Sequence, residues 1–171
     1  MRLFVAIPLS ETVCQALNSA QAALCNQGRG HLIAPQNLHL TLAFIGETSR
    51  EQDAAAALSG IAFPSFEITV EGIDSFGDLY WAGVRPSAQL TELQQFVTQK
   101  LLDAGFLLEP RSFLPHITIC RRYHASAVPD ITAVQTALGS HTFKVHHFHL
   151  MQSHHLSGIL TYTPRFTVNL R

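Results

Sequence analysis

The sequence contains two short motifs in which a histidine precedes a threonine by two residues, His39 with Thr41 and His116 with Thr118. An imidazole takes up and releases a proton near neutral pH, so one histidine can act as a general base and the other as a general acid. A threonine hydroxyl can donate a hydrogen bond to an oxygen on which negative charge develops. Together these groups suit the opening of a cyclic phosphodiester, in which a base activates water and an acid protonates the departing sugar oxygen.

The composition alone does not make these motifs significant. With 10 histidines and 13 threonines among 171 residues, chance predicts roughly 0.8 such motifs. Their weight comes from the fact that both lie in apolar runs that alternate as strands do. On spacing alone, two partly buried histidines that hydrogen-bond inside a sheet explain the pattern equally well.

The first motif lies in a segment, Leu38 to Ile45, whose alternation predicts a strand. Side chains at positions i and i+2 of a strand share a face, so His39 and Thr41 are expected to project together. The opposite face is apolar, and its residues are expected to enter a core: Leu38, Leu40, Leu42 and Phe44.

The second motif lies in a predicted strand from His116 to Cys120. His116 and Thr118 are expected to share a face, backed by Ile117 and Ile119 on the other. If the two strands lie side by side, two imidazoles and two hydroxyls converge on one cleft.

Other periodic segments predict the elements that must position these strands. Helices are expected from a Ser10 cap to about Gln27, from a Ser49 capping box to about Leu58, from a Ser87 cap to Gly105, and from Ile131 to Leu138 within a loop that covers residues 121–140. Further strands are expected at Arg2–Ile7, Phe66–Ile73, Leu79–Val84, Thr142–Gln152 and Ile159–Val168. Strands and helices do not follow a strict alternation, so the predicted class is α+β, with residues 1–171 forming a single domain.

The charge of the chain excludes global attraction to nucleic acid. Charged residues make up 13% of the chain and the formal net charge is -1, so any contact with RNA requires a local cluster of positive charge. Nine of the 11 basic residues are arginine, the better type for gripping phosphate. Arg111, Arg122 and Arg165 either surround the entrance of the cleft and attract RNA phosphates or are ordinary solvated arginines.

Three cysteines, without a C-x-x-C pair, do not form a disulfide framework and fit a reducing cytosol. The apolar run at the N-terminus is too short for the core of a signal peptide, and no run reaches membrane-spanning length. The protein is therefore expected to be cytoplasmic and to have no contact with a membrane.

Two further groups of residues have competing interpretations. A histidine-rich segment without a nearby carboxylate is interpreted as a surface strand and loop, so no metal site and no cofactor are predicted: His146, His147, His149, His154 and His155. Four aromatic residues could stack a base, although core packing is the preferred interpretation: Phe76, Tyr80, Trp81 and Phe113.

The two motifs and their flanks resemble the 2H phosphoesterases, and among them the LigT-like RNA 2′,3′-cyclic phosphodiesterases, also called 2′-5′ RNA ligases. The resemblance covers nearly the whole chain. The similar segments are the opening strand Arg2–Ile7, residues Asn37–Gly46 and Pro115–Arg121, and the surroundings of Ser153 and Tyr162.

The resemblance implies two pseudo-symmetric lobes of antiparallel sheet with outer helices, and an active-site cleft between the lobes. It implies His39 as the proton donor, His116 as the base, Thr41 and Thr118 as phosphate-binding residues, and Arg121 as a further phosphate ligand. On an ideal strand Arg121 points away from the face of His116, so a bend or the end of the strand must bring it to the site.

The implied activity is metal-independent hydrolysis of the 2′,3′-cyclic phosphate at an RNA end to a 2′-phosphomonoester, by a protein expected to be a monomer without an obligate protein partner. Three alternatives stay open. They are reversible 2′-5′ RNA ligation, cleavage of small cyclic nucleotides, and a module that binds RNA ends without catalysis.

Overall fold

The computed structural model describes all 171 residues, Met1–Arg171, and contains nine strands and four α-helices. The first half of the chain contains β1 (Arg2–Pro8), α1 (Glu11–Cys25), β2 (Arg29–Leu32), a 3-10 turn (Pro35–Asn37), β3 (His39–Glu47), α2 (Glu51–Ser59), β4 (Phe66–Phe76) and β5 (Leu79–Val84). The second half contains α3 (Ala88–Asp103), β6 (His116–His124), α4 (Ile131–Leu138), β7 (His141–Val145), β8 (His147–Leu156) and β9 (Ile159–Asn169).

The strands form two antiparallel sheets, which confirms the predicted α+β class. The first sheet has the order β3-β1-β8-β9, and the second has the order β2-β6-β5-β4-β7. The motif of His39 lies in the first sheet and the motif of His116 in the second. Strands β3 and β6 contact each other, so the two motifs meet where the sheets adjoin.

The helices cross between the sheets. Helix α1 follows β1 of the first sheet, yet it packs on α4 and on strands of the second sheet. Helix α3 follows β5 of the second sheet, yet it packs on β3 of the first sheet and on α2. A continuous core of 37 buried residues therefore joins both halves. None of the helices combines the length and the apolar character needed to cross a membrane.

Two of the three predicted helix caps are confirmed. The Ser10 Oγ accepts a hydrogen bond from the Val13 N–H at 3.3 Å, and the Ser87 Oγ accepts one from the Leu90 N–H at 3.2 Å. These bonds satisfy backbone donors that a helix start would otherwise leave unpaired.

The predicted capping box at Ser49 is wrong. Helix α2 begins one residue later, with Arg50 at the cap position and without a side-chain cap. The neighbouring Thr48 Oγ1 accepts from the Arg50 N–H at 3.0 Å instead. The capping box would instead have paired the Ser49 hydroxyl with the Gln52 N–H.

Two strand predictions need correction around β6. The chain from 121 onward was expected to be a loop, but β6 continues to His124 because it gains a partner in β2. Strand β2 was itself missed, since its four residues are all exposed and Gly28 and Gly30 suggested a helix end. The inward-facing position of this edge strand is a glycine, so the strand shows no alternation of apolar and polar side chains.

The predicted strand Thr142–Gln152 is two strands in different sheets. Strand β7 pairs with β4 of the second sheet, whereas β8 pairs with β1 and β9 of the first. Only His146 separates them. The chain changes sheets at this single residue, and no glycine or proline marks the break in the sequence.

Each motif strand contains one extra residue directly after its threonine. In β3, Thr41 pairs with Ala6 and Ala43 with Val5, so Leu42 is the unpaired residue of a β-bulge. A bulge shifts the alternation of the strand by one position. As a result Leu42 and Ala43 are both buried, and Phe44 is 59% exposed. The prediction that Phe44 enters the core is therefore wrong.

The same irregularity occurs in β6. Thr118 pairs with Trp81 and Cys120 with Tyr80, which leaves Ile119 as the extra residue. Ile119 and Cys120 are both fully buried. Arg121 is thereby exposed on the face that carries His116 and Thr118.

A glutamine amide from the covering helix binds each bulge, and Gln21 is buried whereas Gln94 is half-buried. The Gln21 Nε2 of α1 donates to the Ile119 carbonyl at 2.9 Å and to the Ile33 carbonyl at 2.8 Å. The Gln94 Nε2 of α3 donates to the Leu42 carbonyl at 3.4 Å. Because α1 and α3 cross between the sheets, each half of the chain stabilises the motif strand of the other half.

We predict that Gln21→Leu lowers the free energy of unfolding by about 1–3 kcal/mol, because it removes a buried donor to the Ile119 carbonyl and the donor to the half-buried Ile33 carbonyl. Gln94→Leu is the matched control and should cost less, since its bond to Leu42 is longer. Urea unfolding measures both variants. Equal stability of Gln21→Leu and the wild type would contradict the role of this amide.

Candidate active site

The first imidazole is held by two hydrogen bonds. The His39 Nδ1–H donates to the Asn37 carbonyl at 2.6 Å. A carbonyl can only accept, so Nδ1 carries a proton and Nε2 is the atom that exchanges one. The His39 Nε2 lies 3.0 Å from the Thr41 Oγ1, which places the hydroxyl and the reactive nitrogen side by side, as the sequence predicts.

Aromatic rings surround His39. Its ring centroid lies 5.0 Å from that of Phe4 and 5.1 Å from that of Tyr162, the latter edge-on at 88°. Phe4 is buried and also contacts Tyr162. The imidazole is therefore half-buried against an apolar wall.

Asn37 ties the β8–β9 hairpin to this wall. The Asn37 Nδ2 donates to the Leu160 carbonyl at 2.9 Å, and its Oδ1 accepts from the Tyr162 N–H at 3.3 Å. Asn37 is buried, and its own carbonyl orients His39. Sequence reasoning did not assign this residue a role. A buried asparagine two positions before a candidate catalytic histidine was the available signal.

The second imidazole is held in a similar way. The His116 Nδ1–H donates to the Leu114 carbonyl at 2.8 Å, again two residues upstream. The His116 ring lies 5.5 Å from that of Phe76, at 88°, and 5.7 Å from that of Trp81. Both histidines thus carry the Nδ1 proton and can exchange a proton at Nε2.

The aromatic candidates divide into two groups. Tyr80 and Phe113 are partly buried against the core, as predicted. Trp81 is also buried, whereas Phe76 is 48% exposed, so core packing is the wrong interpretation for Phe76; both rings contact His116. The Trp81 Nε1–H has no hydrogen-bond partner.

The pKa of His39 depends on its burial and on the charged residues of β6. Burial is the largest cause that lowers the pKa of His39, and the hydrogen bond to the Asn37 carbonyl opposes it. The positive charges of Arg121 and His116 lower this pKa further. The contact between β3 and β6 places His39 on the strand next to the one that carries His116 and Arg121.

The lowered pKa favours the neutral form of His39 in the free cleft. A bound phosphate diester would add a negative charge beside Arg121 and the two imidazoles and would raise the pKa of His39.

Arg121 reaches the cleft because of the bulge at Ile119. The sequence placed Arg121 on the wrong face of an ideal strand, and the extra residue reverses that parity. Its exposed guanidinium makes no hydrogen bond or ion pair within the protein. It is available to bind two oxygens of an anion.

Two of the three arginines considered for the entrance of the cleft are engaged elsewhere. Arg111 pairs with Glu109, and Arg165 pairs with Glu51 at 2.7 Å. Arg122 is exposed and makes no ion pair. Of the three, only Arg122 offers a free positive charge.

The histidine-rich segment forms local pairs on β8 and β9. The rings of His147 and His149 lie 4.8 Å apart, and the His149 Nδ1 lies 2.9 Å from the Thr167 Oγ1. The pKa of His149 is lowered, mainly by burial and then by the neighbouring His147. No group of three or more His, Cys, Asp or Glu residues is arranged to hold a metal ion.

The chain is similar in sequence to one protein family and to several known proteins. The family model of the 2′-5′ RNA ligase superfamily matches residues 9–156. A protein of Archaeoglobus fulgidus named RNA 2′,3′-cyclic phosphodiesterase is 30% identical over 163 residues, which is 90% of this chain and 91% of that protein. A protein of Escherichia coli with the same name is 33% identical over 125 residues, which is 70% of this chain and 71% of that protein.

Solved structures share the fold over almost the whole chain. The apo form of LigT from Escherichia coli has a TM-score of 0.79 at 28% identity and covers 99% of this chain and 96% of that chain. LigT has also been solved with 3′-AMP, with a TM-score of 0.77 at 27% identity and a coverage of 99% and 96%. The protein TT0787 of Thermus thermophilus has a TM-score of 0.82 at 25% identity, with a coverage of 100% and 98%.

We predict that the imidazole of His39 titrates below its ordinary pKa of about 6.5 in the free protein, and that Arg121→Gln raises this pKa by removing a positive charge that lowers it. Added inorganic phosphate should also raise it in the wild type. NMR titration of the His39 Cε1–H measures these shifts.

The control variant is Lys144→Gln, which removes a positive charge from β7 at the far edge of the second sheet. It should leave the His39 titration unchanged. An unchanged pKa in Arg121→Gln would show that this guanidinium does not face His39.

Proposed function

Because this chain belongs to the 2′-5′ RNA ligase superfamily, we propose that it hydrolyses the 2′,3′-cyclic phosphate at RNA ends and leaves a 2′-phosphomonoester. One observation carries the proposal: two imidazoles lie on contacting strands, β3 and β6, and each has its Nδ1 bound to a carbonyl two residues upstream, so that Nε2 is left to exchange a proton. The named relatives support the same class of reaction, since they are RNA 2′,3′-cyclic phosphodiesterases.

His116 acts as the general base in this proposal. Its Nε2 takes a proton from water, and the water oxygen attacks phosphorus in line with the bond to O3′. The P–O3′ bond breaks while the bond from phosphorus to O2′ stays. His39 donates the proton on its Nε2 to O3′, so the ribose regains a 3′-hydroxyl. The reaction consumes one water, and solvent returns the two histidines to their starting charges.

The half-buried position of His39 fits the role of acid once substrate is bound. In the free cleft the neutral Nε2 accepts a hydrogen bond from the Thr41 hydroxyl. When the phosphate raises its pKa, His39 gains a proton, and the Thr41 hydroxyl becomes free to donate to a phosphate oxygen. Binding of the cyclic phosphate thus promotes protonation of His39, the acid that cleaves it.

Thr41, Thr118 and Arg121 bind the non-bridging oxygens. Two hydroxyls and one guanidinium surround the charge that moves through the transition state, and loss of one preorganised donor typically costs about 10²–10³ in kcat. The reaction needs no metal in this proposal, because proton transfer by two imidazoles supplies what a metal-bound hydroxide would supply.

The family also supports a second reaction at the same site. If a 5′-hydroxyl of another RNA replaces water as the nucleophile, the same steps join the two RNAs through a 2′-5′ linkage. Cleavage of that linkage is the reverse reaction. A small cyclic nucleotide would use the same groups, so the preference among these substrates depends on contacts outside the motifs.

We predict that His39→Ala and His116→Ala each reduce kcat by about 10²–10⁴ on a short RNA with a 2′,3′-cyclic phosphate end, because each removes one proton-transfer group. His146→Ala is the matched control: this histidine is exposed between β7 and β8 and should be dispensable. Circular dichroism checks that all three variants fold.

EDTA should leave the wild-type rate unchanged. Activity that EDTA abolishes and a divalent metal restores would contradict the mechanism. A protein that only binds RNA ends would retain the cyclic phosphate intact, which would overturn the proposed activity itself.

We predict that an activated leaving group separates the two histidines. A nucleoside 2′- or 3′-phosphodiester of p-nitrophenol expels a weakly basic oxygen and needs little help from an acid. His39→Ala should therefore recover most of its lost rate on this substrate, whereas His116→Ala should stay inactive. Recovery of His116→Ala but not of His39→Ala would make His116 the acid and His39 the base. Equal losses of rate in both variants would reject the assignment of one acid and one base.

A further inference from the structure

Strand β2 brings basic residues to one side of the candidate site. It lies at the edge of the second sheet, where His31 pairs with Arg121 and Arg29 pairs with His124 of β6. We call these four residues the basic strip. All four are exposed.

The basic strip lies on the site face of the sheet. The residue between Arg29 and His31 is Gly30, and a Cβ at that position would collide with the buried Cys120 Sγ. Gly30 therefore faces the core, and its two neighbours project to the opposite side, as Arg121 does. The strip thus begins at Arg121, beside the motif of His116, and leads away from the cleft towards Arg29.

The two arginines of the strip are not neutralised within the protein. Arg29 and Arg121 make no ion pair and no side-chain hydrogen bond, whereas four other arginines are each paired with a carboxylate: Arg50, Arg85, Arg111 and Arg165. No Asp or Glu occurs in residues 12–46 or 110–129, which include β2 and β6. Asp78 in the β4–β5 turn accepts a backbone hydrogen bond from Tyr123 but makes no ion pair with the strip.

This local excess of positive charge stands out in a chain of net charge -1. A strand of four exposed residues adds little to the core, so its burial does not explain its presence. Unpaired arginines beside a phosphate site match the repeated charges of a nucleic acid backbone.

We propose that the basic strip binds the backbone phosphates of the RNA on the 5′ side of the cyclic end, so that the preferred substrate is an oligonucleotide rather than a cyclic mononucleotide. This inference rests on the proposed function. A cyclic phosphate occupies the 3′ terminus of an RNA, so the rest of the strand leaves the cleft in one direction, and the strip supplies a path for it. Contacts to phosphates give affinity without base preference.

The test compares two substrates with one enzyme. One substrate is a short oligoribonucleotide with a 2′,3′-cyclic phosphate end, and the other is a 2′,3′-cyclic mononucleotide. For Arg29→Gln, and more strongly for Arg29→Gln combined with His31→Gln, we expect kcat/KM on the oligonucleotide to fall about three- to tenfold. The kcat/KM on the mononucleotide should stay unchanged, since these side chains lie beyond the motifs.

Salt dependence provides a second readout that a loss of fold would not imitate. Each lost phosphate contact should reduce the slope of log kcat/KM against log salt by about 0.7 for a single strand. Lys144→Gln is the matched control, because it removes an exposed positive charge from the opposite edge of the same sheet. It should behave as the wild type on both substrates.

The outcomes separate this inference from the proposed function. Equal effects of Arg29→Gln on both substrates, or none on either, would overturn the basic strip while leaving the hydrolase intact. A wild type that opens neither substrate would overturn the proposed function and the strip with it. A selective loss on the oligonucleotide, with a reduced salt slope, would establish the strip.

Discussion

The position of one extra residue after each threonine decides which side chains share the cleft. A strand without a bulge alternates strictly, so Arg121 would point away from His116 and Phe44 would enter the core. The bulges at Leu42 and Ile119 reverse the alternation beyond that point. Since each bulge interrupts its ladder, the structure must supply other partners for the displaced backbone, and Gln94 and Gln21 provide them.

These glutamines explain why the two halves form one unit. Helix α1 is connected to the first sheet in sequence but stabilises the motif strand of the second, and α3 does the converse. Neither motif strand is therefore completed by its own half alone. The shared core of 37 buried residues and the exchanged helices hold the two motif strands together as parts of one packed structure.

The electrostatics of the cleft follow from this placement. His39 lies against Phe4 and Tyr162, and burial lowers its pKa before any charge is considered. Arg121 and His116 then act in the same direction. In the proposed reaction, an anionic substrate would oppose these effects and raise the pKa of His39. The overall charge of the chain is irrelevant to this, because exposed charges interact over about 10 Å or less at ordinary ionic strength.

The sequence by itself determined the helices and strands whose apolar spacing or capping residue lies within the element. The alternation in β3 and β6 placed each histidine with its threonine, and Ser10 and Ser87 marked two helix starts through hydrogen bonds that span three residues. Tertiary structure alone decided the exposure of Phe44, the approach of Arg121, the existence of β2 and the division between β7 and β8. Each of these depends on a partner that is distant in sequence. Gln21 binds the bulge 98 residues away, and β2 is a strand only because β6 lies beside it. The spacing of apolar residues in one segment shows which of its faces is buried. It does not show which distant segment will pair with its backbone.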